Sequence, residues 1–142
     1  MGKKEQGFTL LELLAVVMII GLLAAIIAPR LLSKTPQARI AAAKANIKSL
    51  QTAIENFHLD HGKYPEKLED LVNMPSYINP KKWPEGGYLT SIVIPKDPWG
   101  NDFIYLKPGR NNQPYEIISL GADGKEGGEK EDADISSSNL SE

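Results

Sequence analysis

The sequence contains no cysteine among its 142 residues. Disulfide bonds are a usual means by which a small domain outside the cytoplasm holds a loop that its core does not reach. Because this chain cannot form one, other interactions must hold its loops. This matters most at the C-terminal end, where glycines and acidic residues are concentrated.

The sequence also lacks an excess of either charge. Its 16 basic and 18 acidic residues leave a formal net charge of −2, and it has no basic cluster beyond Lys44 and Lys48. Nucleic acid is therefore not expected as a partner. No nucleophile, general base and orienting group can be assembled from the sequence with any specificity. We therefore expect neither an enzyme nor a small-molecule substrate.

A long apolar run near the N-terminus is the strongest feature that is present. Residues 8–28 carry a single charge, at Glu12, and a helix of about 21 residues is long enough to cross the ~30 Å hydrocarbon core of a bilayer. Lys3 and Lys4 precede the run and indicate a cytoplasmic N-terminus. The chain beyond Arg30, about 110 residues, then forms a single domain on the other side of the membrane.

Three interpretations of this N-terminus predict three different mature ends. A secretory signal would be cut after Ala28, but its apolar stretch is normally shorter and Pro29 follows that position. An uncleaved anchor explains the length and the basic head but not Glu12, since a carboxylate inside a membrane is costly. The third interpretation places the cut before the apolar run, after Gly7.

Beyond the apolar run, a second periodic pattern predicts an amphipathic helix. Apolar residues recur at steps of three and four, and the helix should continue from the membrane segment to about Asp60 and end at Gly62. Pro29 and Pro36 interrupt it, so we expect a kink or a locally melted stretch there. The predicted apolar stripe consists of Ile40, Ala43, Ile47, Leu50, Ile54 and Phe57.

The remaining sequence predicts a small sheet. Residues 65–73 indicate one or two helical turns, and an irregular region rich in proline and glycine follows. Residues 102–107 and 115–120 are β-branched and aromatic between turn signals, so we expect two antiparallel strands. Residues 136–138 are expected to belong to a disordered polar terminus. The predicted fold class is α+β, with a long helix laid across a small antiparallel sheet.

The other candidate site is an acidic segment at residues 123–134, which contains six carboxylates within twelve residues. Such a segment is either a solvated loop or a site for Ca²⁺, which takes oxygen ligands from carboxylates and main-chain carbonyls. An EF-hand is excluded, because Lys125 and Gly127 occupy the third and fifth positions counted from Asp123, where that motif requires oxygen-bearing side chains.

The junction KEQG/FTLLE at residues 4–12 resembles the leader junction of type IV pilins and pseudopilins. Three further motifs, in order, resemble the major, G-type, pseudopilin of type II secretion systems over nearly the whole chain. The resemblance implies a type IV pilin-like fold. The three motifs are GGYL at residues 86–89, PKDPWGN at residues 95–101 and SLGADG at residues 119–124.

This resemblance implies that a prepilin peptidase cuts between Gly7 and Phe8 and that the new amine on Phe8 is methylated. Glu12 then lies at the position where the family keeps a glutamate, and we interpret it as an assembly residue. Its carboxylate would pair with the Phe8 amine of another subunit, since an unpaired buried charge is strongly unfavourable.

The implied organisation has three parts. Residues 1–7 form the cleaved leader, residues 8–28 the transmembrane and assembly segment, and residues 29–142 a periplasmic domain anchored in the inner membrane.

The resemblance also implies a structural Ca²⁺ in the C-terminal loop. On the family pattern its ligands are the carbonyl of Leu120 and the side chains of Asp123 and Asp132, and Asp134 is a further ligand. Such an ion would close a loop that this chain, without cysteine, cannot close with a disulfide.

The implied function is structural. The subunit would polymerise as a homo-oligomeric helical filament in the periplasm, the pseudopilus, together with minor pseudopilins and an inner-membrane assembly platform, and the filament would promote export of folded proteins across the outer membrane. One alternative is a type IV pilin or competence pseudopilin. An alternative of another class is a calcium-dependent binding module on a plain membrane anchor, for which Glu12 would be dispensable.

Overall fold

The computed structural model of the chain describes residue 2, residues 7–32 and residues 35–140, with the backbone alone for residues 26–32. The chain divides between Thr35 and Pro36 into two compact units. Most of the predicted leader, at positions 1 and 3–6, lies outside the described residues. The two units are described separately.

The first unit contains one helix, α1, at Leu10–Leu32. Its described apolar side chains are exposed within the unit. Among the helices as far as the structure describes them, none combines the length and the apolar character needed to cross a membrane. The predicted span at 8–28 includes positions 26–28, whose side chains lie outside the described residues, and the membrane helix stays a prediction.

The two prolines expected to interrupt the helix lie in different settings. The backbone is helical at Pro29, so of the two alternatives expected there the melted stretch is wrong and the kink stays a prediction. Pro36 is the first residue of the second helix, α2, at Pro36–His61. Proline is well tolerated at a helix start, because the N–H that it lacks would have no partner within the helix. Residues 33 and 34 lie outside the described residues.

Helix α2 buries the predicted stripe except Ile40, which is half-buried, and it also buries Ala53. Its C-terminus is also close to the prediction, because Gly62 has a φ of +69° and its N–H donates to the carbonyl of His58 at 2.7 Å. A 3-10 helix at Leu68–Leu71 confirms the predicted short turn, and two more 3-10 helices lie at Pro80–Lys82 and Lys130–Asp132. The buried residues of α2 are Ala43, Ile47, Leu50, Ala53, Ile54 and Phe57.

The sheet has three short antiparallel strands in the order β1-β2-β3. They lie at Ile104–Leu106, Glu116–Ser119 and Ile135–Ser136. Tyr105 lies opposite Ile117, and Ser119 lies opposite Ile135. The first two strands confirm the predicted pair, although each is shorter than predicted. Helix α2 covers this sheet and closes the core with Ile117 and Ile135, which confirms the α+β class.

The third strand contradicts the prediction of a disordered terminus at residues 136–138. The Ser136 hydroxyl donates to Glu116 Oε1 at 2.5 Å, and the Ser138 hydroxyl donates to the same oxygen at 3.3 Å. The Ser137 hydroxyl accepts from the Ile117 N–H at 3.0 Å. These serines are ordered by partners about 20 positions earlier in the chain, which local composition does not indicate.

Glu116 is the charged centre of this terminus. Its side chain is only 2% exposed, whereas Arg110 remains 58% exposed. Arg110 donates to the carboxylate from its backbone N–H at 3.1 Å and from two guanidinium nitrogens at 2.8 Å each. Hydrogen bonds from Arg110, opposed by burial and supported by Ser136, lower the pKa of Glu116 from 4.5 to about 2. The β1–β2 hairpin and the C-terminal strand are therefore joined through one buried carboxylate.

This pKa gives a prediction for stability against pH. Because the native pKa lies below the unfolded value, the ionised Glu116 stabilises the fold fully above pH 4.5, and the contribution is lost as the pH falls toward 2. The gap in free energy of unfolding between the unmodified domain and Glu116→Gln should therefore be largest near pH 7, at most about 3 kcal/mol, and shrink by pH 3. Urea titrations at both pH values measure the gap, and a gap independent of pH contradicts the prediction.

Candidate functional site

The predicted processing and assembly residues lie together at the start of α1. Gly7 and Phe8 have non-helical backbone, and the Phe8 side chain is 88% exposed. The bond between them therefore lies in exposed, non-helical chain just ahead of the helix.

Thr9 and Glu12 form a reciprocal cap on α1. Glu12 Oε2 accepts from the Thr9 N–H at 3.1 Å and from its hydroxyl at 3.3 Å, and the Thr9 hydroxyl accepts from the Glu12 N–H at 3.2 Å. This is a capping box, in which Thr9 precedes the helix and Glu12 is its third residue. The T-x-x-E pattern at residues 9–12 is the sequence signal of this cap, so Glu12 has a capping role beside its predicted assembly role.

The second predicted region is built around Asp97, in the PKDPWGN motif. Its side chain is buried, with 4% of the residue exposed. Oδ1 accepts from the backbone N–H groups of Trp99 at 3.1 Å and Asn101 at 2.8 Å. Oδ2 accepts from the Ser119 hydroxyl at 2.8 Å, at the end of β2. One carboxylate therefore shapes this turn and attaches it to the sheet.

Glu131 attaches the acidic loop to both the motif and helix α2. Its Oε1 accepts from the Trp99 indole N–H at 3.0 Å and from the Arg39 guanidinium at 3.2 Å. The Arg39 and Glu131 side chains are 38% and 28% exposed, respectively. No local signal in the sequence connects Glu131 with Arg39, 92 residues earlier.

The acidic loop closes on its own backbone. The Ala122 N–H donates to the Glu131 carbonyl at 2.9 Å. Gly121 has a φ of +68°, and a Cβ there would lie 2.8 Å from the carbonyl oxygens of Glu131 and Asp132. Only glycine fits this crossing point. The two ends of the loop are thereby held against each other.

The predicted calcium ligands border this closed loop. Asp123 Oδ1 accepts from the Lys125 N–H at 3.1 Å, and Asp134 Oδ2 accepts from the Gly127 N–H at 3.0 Å. Asp134 Oδ1 is buried and has no hydrogen-bond partner among the described residues. Asp132 is exposed, and Leu120 is half-buried at the end of β2.

A buried carboxylate oxygen without a partner is costly unless a cation or a donor reaches it. The chemistry of Asp134 therefore fits a hard cation with oxygen ligands. Within the part of the chain that the structure describes, however, no three acidic, histidine or cysteine side chains are grouped closely enough to hold a metal ion. The calcium site stays a prediction.

Comparison with known protein families decides the identity of the chain. Residues 30–138 match the family described as type II secretion system protein G, and residues 2–28 match the prokaryotic N-terminal methylation motif. The chain belongs to the protein G family of type II secretion systems.

Two curated relatives illustrate the similarity. The type II secretion system core protein G of Pseudomonas aeruginosa is 44% identical over 94% of this chain and 94% of its own length. The Vibrio cholerae core protein G is 43% identical over 97% of this chain and 94% of its own length. Both alignments cover nearly the whole of each protein.

The fold is similar to a solved member of the same family. The crystal structure of the major pseudopilin from the type 2 secretion system of enterohaemorrhagic Escherichia coli aligns with a TM-score of 0.58 and 28% identity, over 75% of this chain and 90% of that one. This protein is accordingly a major pseudopilin, a structural subunit of a type II secretion system.

The Asp97 site predicts a specific loss of stability. Asp97→Ala leaves two part-buried backbone donors and the buried Ser119 hydroxyl without their acceptor, so the free energy of unfolding of the domain should fall by about 2 to 4 kcal/mol. Asp102→Ala is the matched control, since Asp102 is 85% exposed and pairs with Lys96 at the surface, and it should cost less than about 0.5 kcal/mol. Urea denaturation compares the two variants, and similar losses would contradict the assignment.

Proposed function

We propose that this pseudopilin is made as a precursor, anchored in the inner membrane by α1 with its globular domain in the periplasm, and polymerised into a helical filament of identical subunits. The observation that carries this proposal is the exposed Gly7–Phe8 bond directly ahead of a capped apolar helix. Membership of the family and the match to the methylation motif support it. Minor pseudopilins and an inner-membrane assembly platform are the proposed partners, and export of folded proteins across the outer membrane is the proposed result.

Processing comes first in this proposal. A prepilin peptidase cuts after Gly7, and the amine that appears on Phe8 is then methylated. The cut removes Lys3 and Lys4, the basic residues that hold the precursor's head in the cytoplasm, and it places a new positive charge only four residues before Glu12.

Glu12 then selects the correct neighbour during assembly. In the described chain, both bonds that its side chain accepts go to one oxygen, Oε2. The other oxygen can accept from an ammonium group on an adjacent subunit. Removing one partner from a buried ion pair costs about 3 to 5 kcal/mol. A subunit whose Phe8 amine meets an unpaired Glu12 is therefore favoured over a subunit in another register.

Calcium is the second part of the proposal. Asp123, Asp132 and Asp134, with the carbonyl of Leu120, would hold one Ca²⁺. The unpartnered buried oxygen of Asp134 and the closed backbone of the loop support this assignment. When bound, the ion neutralises carboxylates and binds only the folded loop, so it stabilises the domain by RT ln(1 + [L]/Kd).

The role of Glu12 can be separated from its capping role. Glu12→Gln keeps a hydrogen-bonding side chain at the third helical position, as capping boxes permit, but removes the charge. Thr9→Ala weakens the cap by about 1 kcal/mol but keeps the charge. We expect Glu12→Gln and Glu12→Ala to insert in the membrane and fail to form filaments, and Thr9→Ala to form them.

Electron microscopy of sheared filaments and the intact mass of the membrane-bound protein measure these outcomes. If the mass of every variant corresponds to a chain that begins at methylated Phe8, processing is intact. Filaments from Glu12→Ala would overturn the assembly role and favour the alternative of a binding module on a plain anchor. If the mass of the unmodified protein corresponds to a chain that begins at Met1 or at Pro29, the processing step is overturned.

The calcium proposal predicts a chelator-sensitive melting temperature. With calcium at about 100 times its Kd the domain gains roughly 2.7 kcal/mol, so chelation should lower the melting temperature by several degrees. Asp123→Ala should abolish the difference, whereas Asp102→Ala, an exposed carboxylate outside the loop, should keep it. Identical melting curves of the unmodified protein in calcium and in chelator would rule out a structural calcium site.

A further inference from the structure

A small groove lies at the C-terminal end of α2, and no carboxylate lines it. The groove has a volume of about 220 Å³. Lys82 Nζ donates to the Asp60 carbonyl at 3.1 Å, and Lys63 Nζ lies 5.6 Å from the centre of the Tyr77 ring. Both ammonium groups are therefore held beside the opening. The lining residues are His61, Lys63, Tyr77, Ile78, Asn79 and Lys82.

The lining of the groove favours an anion, because the carboxylates near it already accept hydrogen bonds or ion pairs from other groups. Asp60 is the acidic residue nearest His61, and its Oδ2 already accepts from the Tyr88 hydroxyl at 2.8 Å. Burial lowers the pKa of His61, Lys82 and Lys63 lower it further, and Asp60 acts in the opposite direction. Behind the lining, Asp70 Oδ2 accepts from the Tyr77 hydroxyl at 2.6 Å, and Glu66 pairs with Lys107 at 2.6 Å. These carboxylates already have partners, and the charged residues of the lining itself are the two lysines and His61.

The opposite charge lies at the other end of α2. Residues 123–134 contain six carboxylates and two lysines, so the loop has a net charge of 2 − 6 = −4. Glu131 attaches it to Arg39, one turn after the start of the helix. Glu126 and Glu129 are exposed and are not among the proposed calcium ligands, so a bound ion would leave both carboxylates available.

The acidic loop cannot reach the groove of its own chain. Arg39 and His61 are 22 positions apart on one helix, a separation of roughly 33 Å at 1.5 Å per residue. The two charged regions can therefore meet only between different copies. A contact between two different surfaces of identical subunits is heterologous, and repeating it builds an open filament unless the rotation happens to close a ring.

We propose that the groove formed by Lys63 and Lys82 in one subunit receives Glu126 and Glu129 of the next subunit in the filament. This inference rests on the proposed filament function and adds a residue-level contact within the periplasmic domain. Because the paired groups are exposed, the contact contributes mainly to register and is weakened by salt.

Charge reversal in the full-length protein tests this contact. K63E/K82E and E126K/E129K should each lower filament yield several-fold, and the quadruple variant that combines them should restore it, because attraction returns with the signs exchanged. Lys67→Glu, an exposed lysine outside the groove lining, is the matched control and should leave the yield unchanged. A quadruple variant no better than either pair overturns the proposal, since the two sets of charges then do not pair with each other.

Crosslinking gives a second readout that does not depend on yield. Because the chain has no cysteine, Lys63→Cys combined with Glu129→Cys introduces the only thiols. A short bismaleimide should then give a ladder of multimers from assembled filaments, whereas either single variant should give no ladder. Filaments that form without a ladder overturn this contact and leave the proposed function intact. Failure of the unmodified protein to form filaments would instead overturn the proposed function.

Discussion

The unit that begins at Pro36 depends on one constraint, which is that the apolar face of α2 must be covered. Six residues of this helix are buried, yet the sheet that covers them has strands of only three, four and two residues. So small a sheet contributes few backbone hydrogen bonds and is not stable by itself. The helix and the sheet therefore need each other, and the loops between strands must be held in place by something other than a regular ladder.

Carboxylates hold the loops in place in this chain, which has no cysteine. Asp97 shapes a turn and attaches it to β2, Glu116 joins the β1–β2 hairpin to the terminal strand, and Glu131 joins the acidic loop to Trp99 and α2. Each accepts at least one hydrogen bond from a residue 20 or more positions away in sequence, and the buried acceptors Asp97 and Glu116 are costly to remove. A disulfide would constrain one pair of positions, whereas each of these side chains holds two or three segments at once.

The N-terminal unit differs from the second unit, because its described apolar side chains are exposed within it. Glu12 has a local partner, Thr9, which accounts for its position at the start of α1 in a single subunit. In the proposed processing, the same position would place its charge close to the new amine on Phe8. The observed cap and the proposed subunit pairing are compatible, since a carboxylate at a helix N-terminus is favoured by the helix dipole in either state.

Several features could be predicted from the sequence because they depend on local order. The stripe of α2, its end near Gly62, the pairing of β1 with β2 and the family motifs all follow from short-range periodicity and turn residues. Only the tertiary structure decided the third strand, the burial of Glu116 and the contact between Arg39 and Glu131. These depend on residues about 20 to 92 positions apart, and no local pattern encodes which distant donor a buried carboxylate will meet once the helix and sheet have packed.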